Sequence, residues 1–131
     1  MMIKHYLVDT DILYDHLTHN QKNKRSFLTT LMTKGECFTT VLNASELFFS
    51  AKTEEEKLAI KKLLYAIKVL GLNSRYTLEI PQYSDKFNNY RECLFYVAAE
   101  KNNLIIATNT PSKYNFGKVK IITQRKPRRK S

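Results

Sequence analysis

The sequence predicts an α/β fold, a mostly parallel sheet carrying helices on both faces. Three observations predict it. Short apolar, β-branched runs such as Leu7-Val8 and Leu104-Ile105-Ile106-Ala107 alternate along the chain with longer segments of helical period. One of those helical segments, Arg91-Glu92-Cys93-Leu94-Phe95-Tyr96-Val97-Ala98-Ala99, is apolar enough to lie between other layers. And the first apolar run ends abruptly in Asp9-Thr10-Asp11, the kind of polar strand end that a parallel sheet gathers on one edge.

Taken in order, Leu7-Val8 and its neighbours form the first strand, and Thr10 or Asp11 is placed to cap a helix starting at Ile12. Phe27, Leu28 and Leu31 share one face of a second helix within residues 23–35, stopped by Gly35. Cys37-Phe38-Thr39-Thr40-Val41 is the second strand by β-propensity. Asn43 can cap the helix that carries Ala44-Ser45-Glu46-Leu47-Phe48-Phe49. Thr53 with Glu56 forms a capping box for a helix through residues 54–68. The acidic first turn of that helix, Glu54, Glu55 and Glu56, suits the helix dipole and reads as solvated structure. Val69-Leu70-Gly71-Leu72 is a third short strand. Ser74 caps a segment disturbed around Pro81, the buried helix follows, and Leu104–Ala107 and Val119–Ile122 complete the strands.

At 131 residues the chain is one domain with room for a real core, and its 43% hydrophobic and 26% charged content is that of a globular protein. No apolar stretch approaches the roughly 18 residues of a membrane span, and the N-terminus lacks the layout of a signal peptide, so a cytoplasmic, membrane-free setting is expected. Cys37 and Cys93 have no metal-site spacing and read as reduced, partly buried hydrophobes. The net charge of +10 is local: residues 101–131 hold nine Lys/Arg and no acid. The domain is therefore drawn at 1–124, followed by a basic tail, 125–131. Within that tail Arg125, Lys126, Arg128, Arg129 and Lys130 are candidate contacts for a phosphate backbone.

Three acids stand among apolar neighbours. Asp9 follows the first strand, Glu46 lies in the helix after the second, and Glu92 opens the buried helix. If they converge, their mutual repulsion demands a cation, and hard oxygen donors favour Mg²⁺ or Mn²⁺. An ion held by carboxylates suits phosphodiester hydrolysis. His5, His16 and His19 have no partner spacing that marks catalysis, and no Gly-rich phosphate loop occurs.

Three blocks, VDTDILYDHL, TTVLNASELFFSA and RECLFYVAAEKNNLIIATNTPSKY, resemble in order the signature blocks of PIN-domain proteins, particularly VapC toxins of bacterial toxin–antitoxin pairs. The resemblance covers residues 2 to about 122. It implies a three-layer α/β/α sandwich with a five-stranded sheet, a Mg²⁺-dependent endoribonuclease, a homodimer and a cognate antitoxin. Carried over by position, it makes Asp9, Glu46 and Glu92 the catalytic, metal-holding acids and Asn109 a neutral fourth ligand. Glu92 departs from the family's usual Asp by one methylene. Asp11, where the family often has Asn or Ser, is placed to restore some of the missing charge, whereas Asp15 is expected to face solvent. Arg91 is placed to contact an RNA phosphate or to stand exposed at its helix start. The competing expectation is a catalytically impaired PIN-like module that binds RNA or a protein partner, favoured by Glu92 and by the neutral Asn109.

Overall fold

A computed structural model describes residues 3–124. The elements are β1 (Lys4–Val8), α1 (Thr10–Leu17), α2 (Phe27–Lys34), β2 (Gly35–Thr40), α3 (Val41–Ser50), α4 (Glu54–Ala66), β3 (Lys68–Leu70), α5 (Ile80–Tyr83), α6 (Tyr90–Lys101), β4 (Ile105–Ala107) and β5 (Ile121–Ile122). A six-residue 3-10 segment, Ser74–Glu79, precedes α5, and a single-turn one, Pro111–Lys113, follows β4. All four strand pairings are parallel, in the order β3-β2-β1-β4-β5. The basic tail residues Arg125, Lys126, Arg128, Arg129 and Lys130 lie outside the described residues.

Because alternate strand residues point to opposite faces, two cores form. Tyr6, Val8, Cys37 and Ala107 pack with Ile12, Leu13, Leu28, Leu31, Leu47, Ile60 and Leu63 of α1 to α4. Leu7 and Ile106 point the other way, against Phe95, Tyr96, Ala98 and Ala99 of α6 and against Tyr114. The result is the expected three-layer α/β/α sandwich. Both cysteines are free and buried, and burial pushes the Cys37 thiol up to about 11. Among the described residues no helix is long and apolar enough to cross a membrane.

Several boundaries shift for local reasons. Helix α1 begins at Thr10, two residues earlier than expected, because Asp9 is its N-cap: the carboxylate accepts from the Thr10 amide at 2.8 Å. Asp11 therefore lies inside the first turn and is released from capping. Helix α3 is capped by Thr40, and Asn43 is the reciprocal member of that capping box, three residues in. Asn73, not Ser74, caps the 3-10 segment before α5. Gly35 ends α2 and starts β2 at once. A Cβ there would collide with the Lys4 carbonyl across the strand pair, so the close approach of β1 and β2 requires glycine. At the far end of α6, Asn103 takes φ 56°, and the Leu104 amide returns to the Ala99 carbonyl at 2.9 Å. That left-handed exit delivers the chain directly into β4.

The strand order places the site. From the central β1 the chain steps outward to β2 and β3, then returns to lay β4 and β5 on the other side. The direction of winding thus reverses between β1 and β4, and a crevice opens outside their carboxyl ends. Asp9 follows β1 there and Thr108 follows β4, with the Asp9 amide bonded to the Ala107 carbonyl at 2.9 Å.

Candidate active site

Asp9 is the floor of this crevice, 2% exposed and held on both carboxylate oxygens. Its Oδ1 accepts from the Thr10 amide and, at longer range, from Asn43 Nδ2 (3.4 Å) and Arg91 Nη2 (3.5 Å). Its Oδ2 accepts from Thr108 Oγ1 at 3.0 Å and from the hydroxyl of fully buried Tyr114 at 2.9 Å. Burial first, and then the Asp9 charge, push the Tyr114 hydroxyl far up, so it remains a donor. Such a set of donors compensates an ion that would otherwise be costly to bury.

Glu46 reaches the same crevice from α3 and is half-exposed at its rim. Its Oε1 accepts from Thr10 Oγ1 and from Arg91 Nη2, both at 2.6 Å. Glu92, the third residue of α6, is 8% exposed, and Asn89 caps its amide at 2.9 Å. The Glu92 carboxylate lies 3.5 Å from Lys113 Nζ. Asp9, Glu46 and Glu92 thus line one cleft of about 280 Å³, together with Thr10, Asp11, Asn89, Arg91 and Lys113. In this arrangement, among the described residues, no three acidic, His or Cys groups are set to hold one ion together. The cation between Asp9 and Glu46 is the Arg91 guanidinium.

Asp11 and Asn109 occupy the other flank. Asp11 Oδ2 accepts from the Asn109 amide at 3.0 Å and lies 3.2 Å and 3.4 Å from the Thr108 and Thr110 hydroxyls, with the one Thr108 proton shared with Asp9. Its Oδ1 is buried with no hydrogen-bond partner among the described residues, and so is Asn109 Oδ1. Burial, and next the Asp9 charge, raise the Asp11 pKa against the backbone hydrogen bonds that lower it. Asn109 turns its side-chain amide to Asp15 Oδ2 at 2.8 Å, so the solvent-facing Asp15 is tied to β4's exit loop.

The donor set is chemically suited to a hard divalent cation: carboxylates from three elements, plus two buried oxygens without donors on the Asp11 flank. Asp9, Glu46 and Glu92 would hold such an ion, with Asp11 beside them.

Sequence reasoning placed the three acids but missed the groups that manage them. Arg91 is only 20% exposed in its side chain, and its guanidinium lies 5.8 Å from the Phe95 ring centroid. Its position beside Glu92 was the available signal. Asn43 reads as a helix cap in sequence, and that role concealed its 2.8 Å bond to Thr10 Oγ1. Nothing in the spacing of Tyr114 marks it as a partner of Asp9, 105 residues away.

The sequence model of the PIN domain matches residues 6–110. No curated protein sequence matches the chain. Among solved structures, a chain of the Rickettsia felis VapBC2 complex, bound to a DNA fragment from its promoter, superposes with a TM-score of 0.77 at 14% identity. That match covers 92% of this chain and 99% of the other. A chain of the DNA-bound VapBC of Salmonella typhimurium gives 0.72 at 14% identity, covering 93% and 98%. A toxin–antitoxin complex from Klebsiella pneumoniae gives 0.68 at 15%, covering 90% and 96%. The likeness is one of fold, and its five-stranded sheet and flanking helices are those described above. With the family's sequence pattern running from β1 through the exit of β4, where the cleft is built, this chain belongs to the PIN domain family, whose members are generally nucleases.

Proposed function

We propose that the protein is a divalent-metal-dependent endoribonuclease, the toxin of a type II toxin–antitoxin pair, working in the cytoplasm as a homodimer that a cognate antitoxin restrains. The observation that carries the nuclease reading is the gathering of Asp9, Glu46 and Glu92 at one cleft, at the reversal point of the sheet. An ion held there, Mg²⁺ or Mn²⁺, supplies charge to stabilise phosphoryl oxygens and to acidify an attacking water. The chain itself contributes a rigid carboxylate at Asp9, a rim carboxylate at Glu46 that an extended strand of RNA can approach, and two cations, Arg91 and Lys113, of the kind that position phosphates. The toxin reading is supported by the solved neighbours, which are chains of toxin–antitoxin complexes.

The test is RNA cleavage with Mg²⁺ or Mn²⁺ against excess chelator, comparing wild type with Asp9→Asn. Equal cleavage with metal and with chelator would overturn the metal dependence. The basic tail is tested by deleting residues 125–130. Loss of RNA contacts there flattens the salt dependence of binding by about 0.7 log units per contact on a single strand. An unchanged slope would show that the tail takes no part.

A second reading has one specific observation in its favour. Arg91 already pairs with both Asp9 and Glu46 and offsets half of their charge, which suits a module that binds RNA or a protein and no longer cuts. Cleavage that stays undetectable with either metal would establish it over the first.

A further inference from the structure

The proposal here rests on the metal-dependent reading and concerns what holds the cleft together without an ion. Four carboxylates line it, Asp9, Asp11, Glu46 and Glu92, against two cations, Arg91 and Lys113, a net of −2 when all are ionised. The cations are not equivalent. Among the described residues Lys113 pairs with Glu92, at 3.5 Å and from a more exposed position. Arg91 Nη2 stands where the acids meet, 2.6 Å from Glu46 Oε1, 2.9 Å from Thr10 Oγ1 and 3.5 Å from Asp9 Oδ1. One nitrogen thus contacts three oxygens from β1's exit, α1 and α3. A divalent ion shared by Asp9 and Glu46 needs the same oxygens and the same space. It must also not face an uncompensated guanidinium a few ångströms away.

We propose that Arg91 is the site's built-in counter-ion, and that it and a divalent cation compete for Asp9 and Glu46. The free protein is held closed by its own guanidinium, and metal uptake requires Arg91 to leave. Two features suit it to leaving. Arg91 Nε is buried with no hydrogen-bond partner among the described residues, so the closed pose leaves unmade there a bond that an arginine in water has. The ring of Phe95, one turn along α6, offers the guanidinium a surface that does not depend on the carboxylates.

The competition is read directly as Mn²⁺ affinity, by titration calorimetry or by the loss of the free-ion electron paramagnetic resonance signal, on the full chain without RNA. Arg91→Ala is expected to bind Mn²⁺ at least tenfold more tightly than wild type. It should melt lower without metal and gain more in Tm when Mn²⁺ is added. Arg91→Lys, which keeps a charge but reaches less far and lacks the fork, is expected to fall between the two. Equal or weaker Mn²⁺ binding by Arg91→Ala would overturn the competition alone. Absence of Mn²⁺ binding by wild type and variants alike would overturn the metal-dependent reading along with it. If Arg91→Ala folds only when Mn²⁺ is supplied, the counter-ion role is upheld. If it fails to fold in both conditions, Arg91→Lys decides: tighter binding than wild type upholds the proposal, and equal or weaker binding overturns it.

Discussion

Asp9 and Asp11 stand two residues apart on the same strand exit and live in opposite environments. Asp9 is buried and accepts from five donors that converge from α1, α3, α6 and the segment after β4. Asp11 is only partly buried, has one oxygen served and one without a partner among the described residues, and its pKa is raised. The difference follows from helix geometry. As N-cap, Asp9 points back at the sheet edge, where Thr108, just after β4, and Tyr114 donate to it. One position into the first turn, Asp11 points along the flank, where Thr108, Asn109 and Thr110 of the loop after β4 reach it. The protein thus fixes one carboxylate from several sides and leaves its neighbour with an oxygen short of donors among the described residues.

The largest test of that difference is activity. Asp9→Asn keeps the shape but turns a donor toward groups that themselves donate, and it removes one of the two carboxylate charges that Arg91 faces. RNA cleavage should fall by at least about 100-fold, the scale on which even groups supporting a metal site are felt. Asp11→Asn should cost less than about tenfold. Parallel cleavage assays on both variants check this, and equal losses would erase the distinction between floor and flank.

Glu92 sharpens the comparison from the opposite wall. Glu92→Gln should lower cleavage about 10- to 100-fold, on the same scale of disturbed metal sites. It should cost the helix only about 0.3–1 kcal/mol for the lost first-turn charge. Glu92→Asp should retain or raise activity, since it shortens the side chain to the length usual in the family while keeping the charge. If both variants match wild type, Glu92 serves only α6, and the cleft works with the Asp9 side alone.

How far these roles were legible in the sequence depends on the range of the forces involved. The alternation of strands and helices and the α4 capping box are local patterns, and each reappears in the fold at nearly the expected residues. The three acids could be placed because each sits beside a predictable element end. Caps were misplaced by one to three residues, at Asp9 for Asp11 and at Thr40 for Asn43, because several Asp, Asn and Thr side chains compete there and tertiary contacts choose among them. The Arg91 bridge and the Tyr114 bond were invisible. They join residues 82 and 105 positions apart, and no periodicity reports on that.

A stability measurement separates floor from flank without any substrate. Tyr114→Phe keeps the ring packed against Phe95 and Phe87 but removes a donor from a buried carboxylate. Hydrogen bonds to charged groups are worth about 1.5–3 kcal/mol, so unfolding by urea should show a loss of that order. Thr110→Val, which removes a long 3.4 Å contact to Asp11 at an exposed position, should cost less than about 0.5 kcal/mol. Similar losses for the two would mean that Asp9 is no better held than Asp11.

The smallest effect carries a definite sign. Burial and the Asp9 charge hold the Asp11 pKa above its ordinary 3.8, so in the folded, metal-free protein its ionised form is disfavoured relative to the unfolded chain. A carboxyl raised in this way contributes stability below 3.8, where both states are protonated at that group, and loses it as pH rises through the folded pKa. At neutral pH Asp11 is therefore a net cost to the metal-free fold. Asp11→Asn removes the charge while keeping an acceptor for the Asn109 amide and putting an amide in place of the oxygen that has no donor among the described residues. Tm of the chelator-treated variant should exceed that of wild type at pH 7. The gain should be about 1 kcal/mol or less, because solvent screens a partly exposed group. The gap should close as pH falls to 3.8 and below, where wild-type Asp11 is neutral in both states. Added Mn²⁺ should reverse the order at neutral pH, since the wild-type charge then has a cation to serve. A variant that melts below wild type at pH 7 without metal would show that Asp11, like Asp9, already has its charge fully answered by the protein.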